Sequence, residues 1–194
     1  MALPKYDKSK RKSNNYIQLP KGAYVIVIKG AKMKKWDDGG ESIAIAFDIA
    51  EGEYKGLYQS QFDSDTRSGK EWPYDAVFLL TAPTDSSPDW VWNNYNTFFA
   101  DLEDSNNGFV FDGEHLVLLK GKLLGAKFAI EQTEYNGQIY DHTRMRWTCV
   151  AEDVRQGKAG KLPNDKLITP SAPAVADQSD EWLKVDAIAD QLPF

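Results

Sequence analysis

The alternation of hydrophobic and polar positions is the clearest local signal in this chain. Between Ser42 and Ile49, isoleucine or phenylalanine occupies every second position, and alanines or an aspartate fill the positions between. A period of two places alternate side chains on opposite faces of a strand. Residues 24–28 form a short β-branched run of the same type. Both segments are therefore predicted as strands, and residues 57–62 are predicted as a third.

The strongest turn signal lies near the end of the patterned region. Asn136 and Gly137 separate two segments, 125–134 and 138–150, that both have strand character. An Asn-Gly pair between such segments predicts a β-hairpin. Strict alternation in the second strand predicts one face with Met145, Trp147 and Cys149 and the opposite face with Arg144, Arg146 and Thr148. The first of these faces is predicted to point to the core.

One helix is predicted in the middle of the chain. Ser87 is a suitable N-cap, Pro88 suits the first helical position, and Asn106 to Gly108 end the pattern. The helix is predicted over about 88–104. Its aromatic residues recur at helical spacing and are predicted to pack on the sheet: Trp90, Trp92, Tyr95, Phe98 and Phe99.

Short strands around a single helix predict a mainly β fold, a small barrel or sandwich with one inserted α-helix. Residues 1–16 are polar and basic and are predicted to be a disordered arm. Residues 17–160 carry the regular patterns and are predicted to be the folded domain. Residues 161–194 are rich in proline, alanine and acids and are predicted to be a flexible acidic tail.

Composition limits the class of protein. The chain has 194 residues, of which 42% are hydrophobic and 27% charged, values typical of a globular protein. No apolar run is long enough to span a bilayer, and no apolar run follows the N-terminal charges as in a signal peptide. Cys149 is the single cysteine, so no internal disulfide can form. A reducing cytoplasm is the expected location.

The charge is distributed unevenly. Residues 1–35 carry ten Lys and Arg against one acid, whereas residues 36–160 carry ten against twenty-two. Residues 161–194 carry three against six. A basic arm on an acidic chain predicts an anionic partner at one end and a separate role for the other end.

Cations and aromatic residues occur together at several places. Non-specific binding of single strands needs cations for the phosphates and exposed rings on which bases stack. Arg144 and Arg146 on one strand face would stand about 7 Å apart. The candidate nucleic-acid-binding residues are Lys32, Lys34, Lys35, Trp36, Tyr54, Lys55, Tyr58, Lys70, Trp72, Tyr74, Arg144 and Arg146.

The C-terminal residues indicate a docking tip. Pro193 and Phe194 place an aromatic ring beside a carboxylate, and Asp186 and Asp190 add negative charge. This layout resembles that of bacterial-type single-stranded-DNA-binding proteins, although those place a run of aspartates before the apolar residue. The resemblance implies an OB-fold domain, a flexible linker and a tip that recruits replication or recombination proteins.

The folded part has a second resemblance. Residues 19–24, 134–140 and 151–157 are similar to segments of small phage and prophage proteins from Gram-positive hosts. Those proteins are taken to bind single strands. The resemblance covers about residues 17–160 and implies non-specific single-stranded DNA binding in phage DNA replication and recombination, with a homo-oligomer as one form.

Two other classes stay open. A β-rich protein-interaction module that never touches nucleic acid fits the acidic body. A Mg²⁺-dependent nuclease could use Asp63 and Asp65 with Glu71 or Asp75. The two histidines and one cysteine form no zinc motif, and no phosphate loop or nucleophile elbow is present. Neither catalysis nor a cofactor is therefore expected.

Overall fold

A computed structural model describes residues 17–37 and 39–168. Its centre is one antiparallel sheet with the strand order β3-β2-β1-β4-β5. The strands are β1 (Gly22–Lys35), β2 (Glu41–Ile49), β3 (Val77–Thr81), β4 (Leu123–Tyr135) and β5 (Gln138–Cys149). The helices are α1 (Leu57–Ser64), α2 (Asp89–Ser105) and α3 (Ala151–Arg155), and two short 3₁₀ helices span Tyr74–Ala76 and Leu116–Leu119.

The sheet curls because the long strand β1 pairs with β4 along its first half and with β2 along its second half. Its residues 22–27 pair with β4, and its residues 26–35 pair with β2. A register shift between Ile28 and Gly30 accompanies the change of partner. The edge strands β3 and β5 thereby approach each other, and α2 contacts β3, β4 and β5. The predicted mainly β fold is confirmed, and the sheet is compatible with a barrel that is open between β3 and β5. The described residues contain α1 and α3 in addition to the one predicted helix, α2.

The core fills the concave side of the sheet. Phe47, Phe98 and Phe128 are among its largest fully buried side chains. The rings of Phe47 and Phe128 meet edge to face, with 5.8 Å between centroids. Val91 and Leu102 bury the inner side of α2 beside Phe98.

In the described part of the chain, no helix is long and apolar enough to cross a membrane.

The helix α2 begins at Asp89, one residue later than predicted, and its N-cap is Pro88 instead of Ser87. Pro88, in extended backbone, is the N-cap, and its carbonyl accepts the Val91 N–H at 2.9 Å. The Ser87 hydroxyl instead accepts the Thr84 N–H at 2.8 Å. Ser87 therefore closes the preceding turn and does not cap the helix.

The strand predicted over residues 57–62 is wrong, because this segment is the helix α1. Gly56, at φ 74°, turns the chain out of the preceding loop. The buried carboxylate of Asp48, in β2, then accepts the N–H groups of Tyr58 at 3.0 Å and Gln59 at 3.3 Å. A side chain from another element thus supplies the helix cap.

The hairpin prediction is confirmed. Of the three β5 residues predicted to face the core, Met145 and Cys149 are buried, but the prediction is wrong for Trp147. Asn136 and Gly137 both have positive φ, 51° and 72°, as a two-residue type I′ turn requires. Further along, Phe128 pairs with Met145 while Lys127 pairs with Trp147, so Arg146 is an extra residue. At this bulge the alternation of buried and exposed side chains along β5 is interrupted. Met145 is buried, whereas Trp147 points outward.

The packed chain continues eight residues beyond the boundary predicted at 160. Lys166 and Glu131 form a parallel bridge beside β4, and the Lys166 N–H donates to the Ile130 carbonyl at 2.8 Å. The Asp165 carboxylate accepts the Ile130 N–H at 3.0 Å and pairs with Lys21 at 2.8 Å. Residues up to 168 therefore belong to the folded domain. The predicted arm, 1–16, and residues 169–194 of the predicted tail lie outside the described residues.

Candidate nucleic-acid interface

The end of β1 and the loop that follows it bring four of the predicted basic and aromatic residues together. Lys32 and Lys34 are exposed on the same side of β1, since they are two residues apart. The Lys34 ammonium lies 3.9 Å from the centroid of the Trp36 ring, which is 39% exposed. The Trp36 indole donates to the Ser42 hydroxyl at 3.0 Å, which orients the ring. Lys35 pairs with Glu41 at 3.1 Å. We call Lys32, Lys34, Lys35 and Trp36 the loop cluster.

The second predicted group contributes less to the surface. Tyr58 is 2% exposed and packs edge to face on Phe47, so its prediction as a base-stacking residue is wrong. Tyr54 is half-buried against Tyr24, with 6.0 Å between ring centroids. Lys55 is exposed. Only Lys55 of this group is thus available to a phosphate without rearrangement.

Trp72 is a packing residue in this structure. Its indole N–H donates to the Phe47 carbonyl at 3.1 Å, and its ring lies 5.5 Å from that of Phe62. The Lys70 ammonium donates to the Phe62 carbonyl at 3.1 Å and sits 4.4 Å over the Phe62 ring. Trp72 is half-buried, so these contacts leave less of its ring available to bases than the sequence predicts.

Tyr74 and Arg144 form a second cation–aromatic pair, in which the ring is exposed and the guanidinium is largely covered. The Arg144 guanidinium lies 3.8 Å from the centroid of the Tyr74 ring, and Tyr74 is 69% exposed. The Asp75 carboxylate is 3.3 Å from both Arg144 and His142. Asp75 therefore holds the guanidinium in place beneath the ring.

The bulge separates the two arginines from the arrangement predicted for them. Arg144 is largely covered, while Arg146 is the extra, exposed residue and lies 3.5 Å from the Glu131 carboxylate. Trp147, predicted in the core, is 49% exposed. The two guanidinium groups still line one cavity, together with Trp147.

That cavity is a cleft of about 630 Å³ between β3, β5 and the first turns of α2. We call it the edge cleft. Sequence reasoning placed Trp90 among the packing residues, yet Trp90 is 62% exposed at the start of α2. The lining contains five aromatic and three cationic residues: Tyr74, Phe78, Trp90, Phe98 and Trp147, and Lys127, Arg144 and Arg146.

The titratable groups around the edge cleft are mostly positive. Its lining includes one acid, Glu131, against Lys127, Arg144 and Arg146. A hydrogen bond from Lys166, with the arginines nearby, holds the pKa of Glu131 below its usual range, so this carboxylate is ionised at neutral pH. Asp101 lies behind the lining residue Thr148, and its carboxylate accepts a hydrogen bond from the Thr148 hydroxyl. Burial raises the pKa of Asp101. The cleft therefore suits an anionic ligand with flat apolar parts.

The predicted acidic pair of a nuclease is engaged in local contacts. Arg67 donates to both oxygens of Asp65 at 2.7–3.0 Å and lowers the pKa of this carboxyl to about 2. Gln59 donates to Asp63 at 3.0 Å. Within residues 17–37 and 39–168, no group of three or more His, Cys, Asp and Glu could hold a metal ion. The predicted docking residues Asp186, Asp190, Pro193 and Phe194 lie outside the described part.

Comparison with known proteins adds a family likeness. None of the curated proteins matches the chain. Residues 4–72 match the model of a family described as a protein of unknown function (DUF669). The matched segment contains β1, β2, α1 and the loop cluster. Over that segment, this chain is similar to the DUF669 family.

Proposed function

We propose that the folded domain binds single-stranded DNA without sequence preference. The observation that carries the proposal is the pairing of exposed aromatic rings with cations, Lys34 over Trp36 and Arg144 over Tyr74. A base needs one ring face, and its phosphate needs a neighbouring positive charge. The first pair supplies both within about one nucleotide's reach. In the second pair the ring is exposed, and the largely covered guanidinium lies directly behind it.

The biological setting of the proposal follows from the two resemblances. Binding of single strands would serve phage DNA replication or recombination in the cytoplasm of the bacterial host. The C-terminal residues Asp186, Asp190, Pro193 and Phe194 would recruit other proteins of these processes. The match to a family of unknown function neither adds to this setting nor opposes it.

The first test is the affinity for a labelled thirty-nucleotide oligothymidine, measured by fluorescence anisotropy against a duplex of equal length. We expect tight binding to the single strand and weaker binding to the duplex. Four phosphate contacts would give a slope of log affinity on log salt of about −3. Absence of binding at low salt, or equal binding to the duplex, would contradict the proposal.

Trp36 and Trp72 should separate binding from stability. Trp36→Ala is expected to weaken oligothymidine binding about tenfold, because stacking on an exposed ring is lost. Trp72→Ala is expected to leave the affinity unchanged but to lower the free energy of unfolding by about 2 kcal/mol, because a half-buried ring is removed. Anisotropy and urea titrations of the two variants check this. The reverse pattern would exchange the roles of the two residues.

A protein-interaction module is the second candidate function. Apolar side chains are exposed outside the loop cluster and the edge cleft, at Val110, Val117 and Leu118. Exposed apolar residues contribute to a protein-binding surface where they form a contiguous patch. Failure of the oligothymidine test would favour this candidate.

A labelled strand that stays intact during long incubation with Mg²⁺ would exclude the nuclease.

A further inference from the structure

We propose that the edge cleft is a base-binding pocket, which takes unstacked nucleobases of a single strand between Trp90 and Trp147. This inference rests on the proposed function and assigns it a second contact site, separate from the loop cluster. The cleft volume of about 630 Å³ lies within the range of pockets that hold small ligands.

The aromatic walls come from two elements with different reasons for their exposure. Trp90 lies at the start of α2, outside the buried face that Val91, Phe98 and Leu102 define. Trp147 is turned outward by the extra residue Arg146 in β5. A flat apolar group entering the cleft would cover apolar surface on both rings, which are now 62% and 49% exposed.

The cations lie where phosphates would leave the pocket. Arg146 is exposed at the bulge, and its carboxylate partner Glu131 also pairs with Lys166 at 2.8 Å. One acid is thus shared by two cations. Lys127 adds positive charge to the lining, whereas the charge of Arg144 is offset by its pairing with Asp75. The surplus charge complements a polyanion.

The shape of the edges argues against an extended peptide as the occupant. A peptide that adds to a sheet needs a regular edge with a run of free backbone groups. Here β3 has five residues, and β5 is interrupted by its bulge at Arg146. Short and bulged edges resist strand addition. Stacking on Trp90 and Trp147 needs no such run, so a nucleic acid fits this cleft better.

Photocrosslinking locates the contact directly. The full chain is mixed with oligothymidine in which single positions carry 5-iododeoxyuridine, irradiated, digested and analysed by mass spectrometry. We expect crosslinks on the peptides that carry Trp90 and Trp147, in addition to those on the loop cluster. Crosslinks confined to the loop cluster would overturn the pocket while leaving the proposed function intact.

Three alanine variants give an independent measure. Trp90→Ala and Trp147→Ala are each expected to weaken oligothymidine binding about fivefold or more. Trp92→Ala is the matched control, because Trp92 is 39% exposed on the same helix but does not line the cleft. Circular dichroism confirms that each variant is folded. Equal affinity of all three variants and the unaltered protein would overturn the pocket, and failure of the unaltered protein to bind would overturn both proposals.

Discussion

Replacing Asp48 with alanine is expected to lower the free energy of unfolding by about 4 kcal/mol. The Asp48 side chain is buried and accepts the N–H groups of Ile49 at 2.9 Å, Tyr58 at 3.0 Å and Gln59 at 3.3 Å. The N-cap residue of α1 is Gly56, which has no side chain to replace it. Alanine would leave these donors without an acceptor, at about 1–3 kcal/mol for each buried group.

Urea unfolding of the variant and the unaltered protein measures this loss as a change in midpoint with an unchanged slope. Asp48→Asn keeps one carbonyl acceptor and is expected to lose about half as much. Asp63→Ala is the matched control on α1, because Asp63 is exposed and accepts only the Gln59 amide in the described contacts. A loss at Asp48→Ala no larger than at Asp63→Ala would refute the capping role.

Local patterns were sufficient to predict much of the fold. The alternation in residues 42–49 and the Asn136 and Gly137 turn each depend on neighbours in sequence, and both predictions are confirmed. The helix over about 88–104 is confirmed for the same reason. Residues 57–62 were predicted wrongly because the group that fixes α1, the Asp48 carboxylate, belongs to a different element. A short apolar run cannot indicate such a non-local cap.

The candidate site was predictable in part. The loop cluster is continuous in sequence, so its cations and Trp36 were identified directly. The exposure of Trp90 could have been recognised, since Val91, Phe98 and Leu102 recur at intervals of seven and four and define a buried face that excludes it. No sequence signal marks the bulge at Arg146. The outward turn of Trp147 therefore required the structure.

The edge cleft depends on this bulge and on close strand packing at the same end of the sheet. Its exposed rings come from three separate segments, Tyr74 before β3, Trp90 in α2 and Trp147 in β5. Such a site exists only if β5 keeps its register on β4. Two pairs after Lys127 and Trp147, the ladder reaches Gly125 and Cys149, where there is no room for a Cβ on the glycine.

Gly125→Ala is accordingly expected to lower the free energy of unfolding by about 3 kcal/mol. A Cβ on Gly125 would lie 2.7 Å from the Cys149 carbonyl oxygen, 2.8 Å from the Cys149 sulfur and 2.8 Å from the Val150 carbonyl oxygen. Two of these three atoms are backbone, so they cannot move aside by a change of rotamer. The end of β5 would have to shift away from β4.

Gly30→Ala is the matched control, because a Cβ on this β1 glycine meets nothing within 4 Å. We expect its stability to stay within about 0.5 kcal/mol of the unaltered protein, or to rise slightly through the reduced entropy of the unfolded chain. Urea unfolding of both variants measures the difference. If Gly125→Ala is as stable as Gly30→Ala, the tight contact between β4 and β5 is absent in solution. A large loss at Gly125 alone means that close backbone packing fixes the register from which Trp147 reaches the edge cleft.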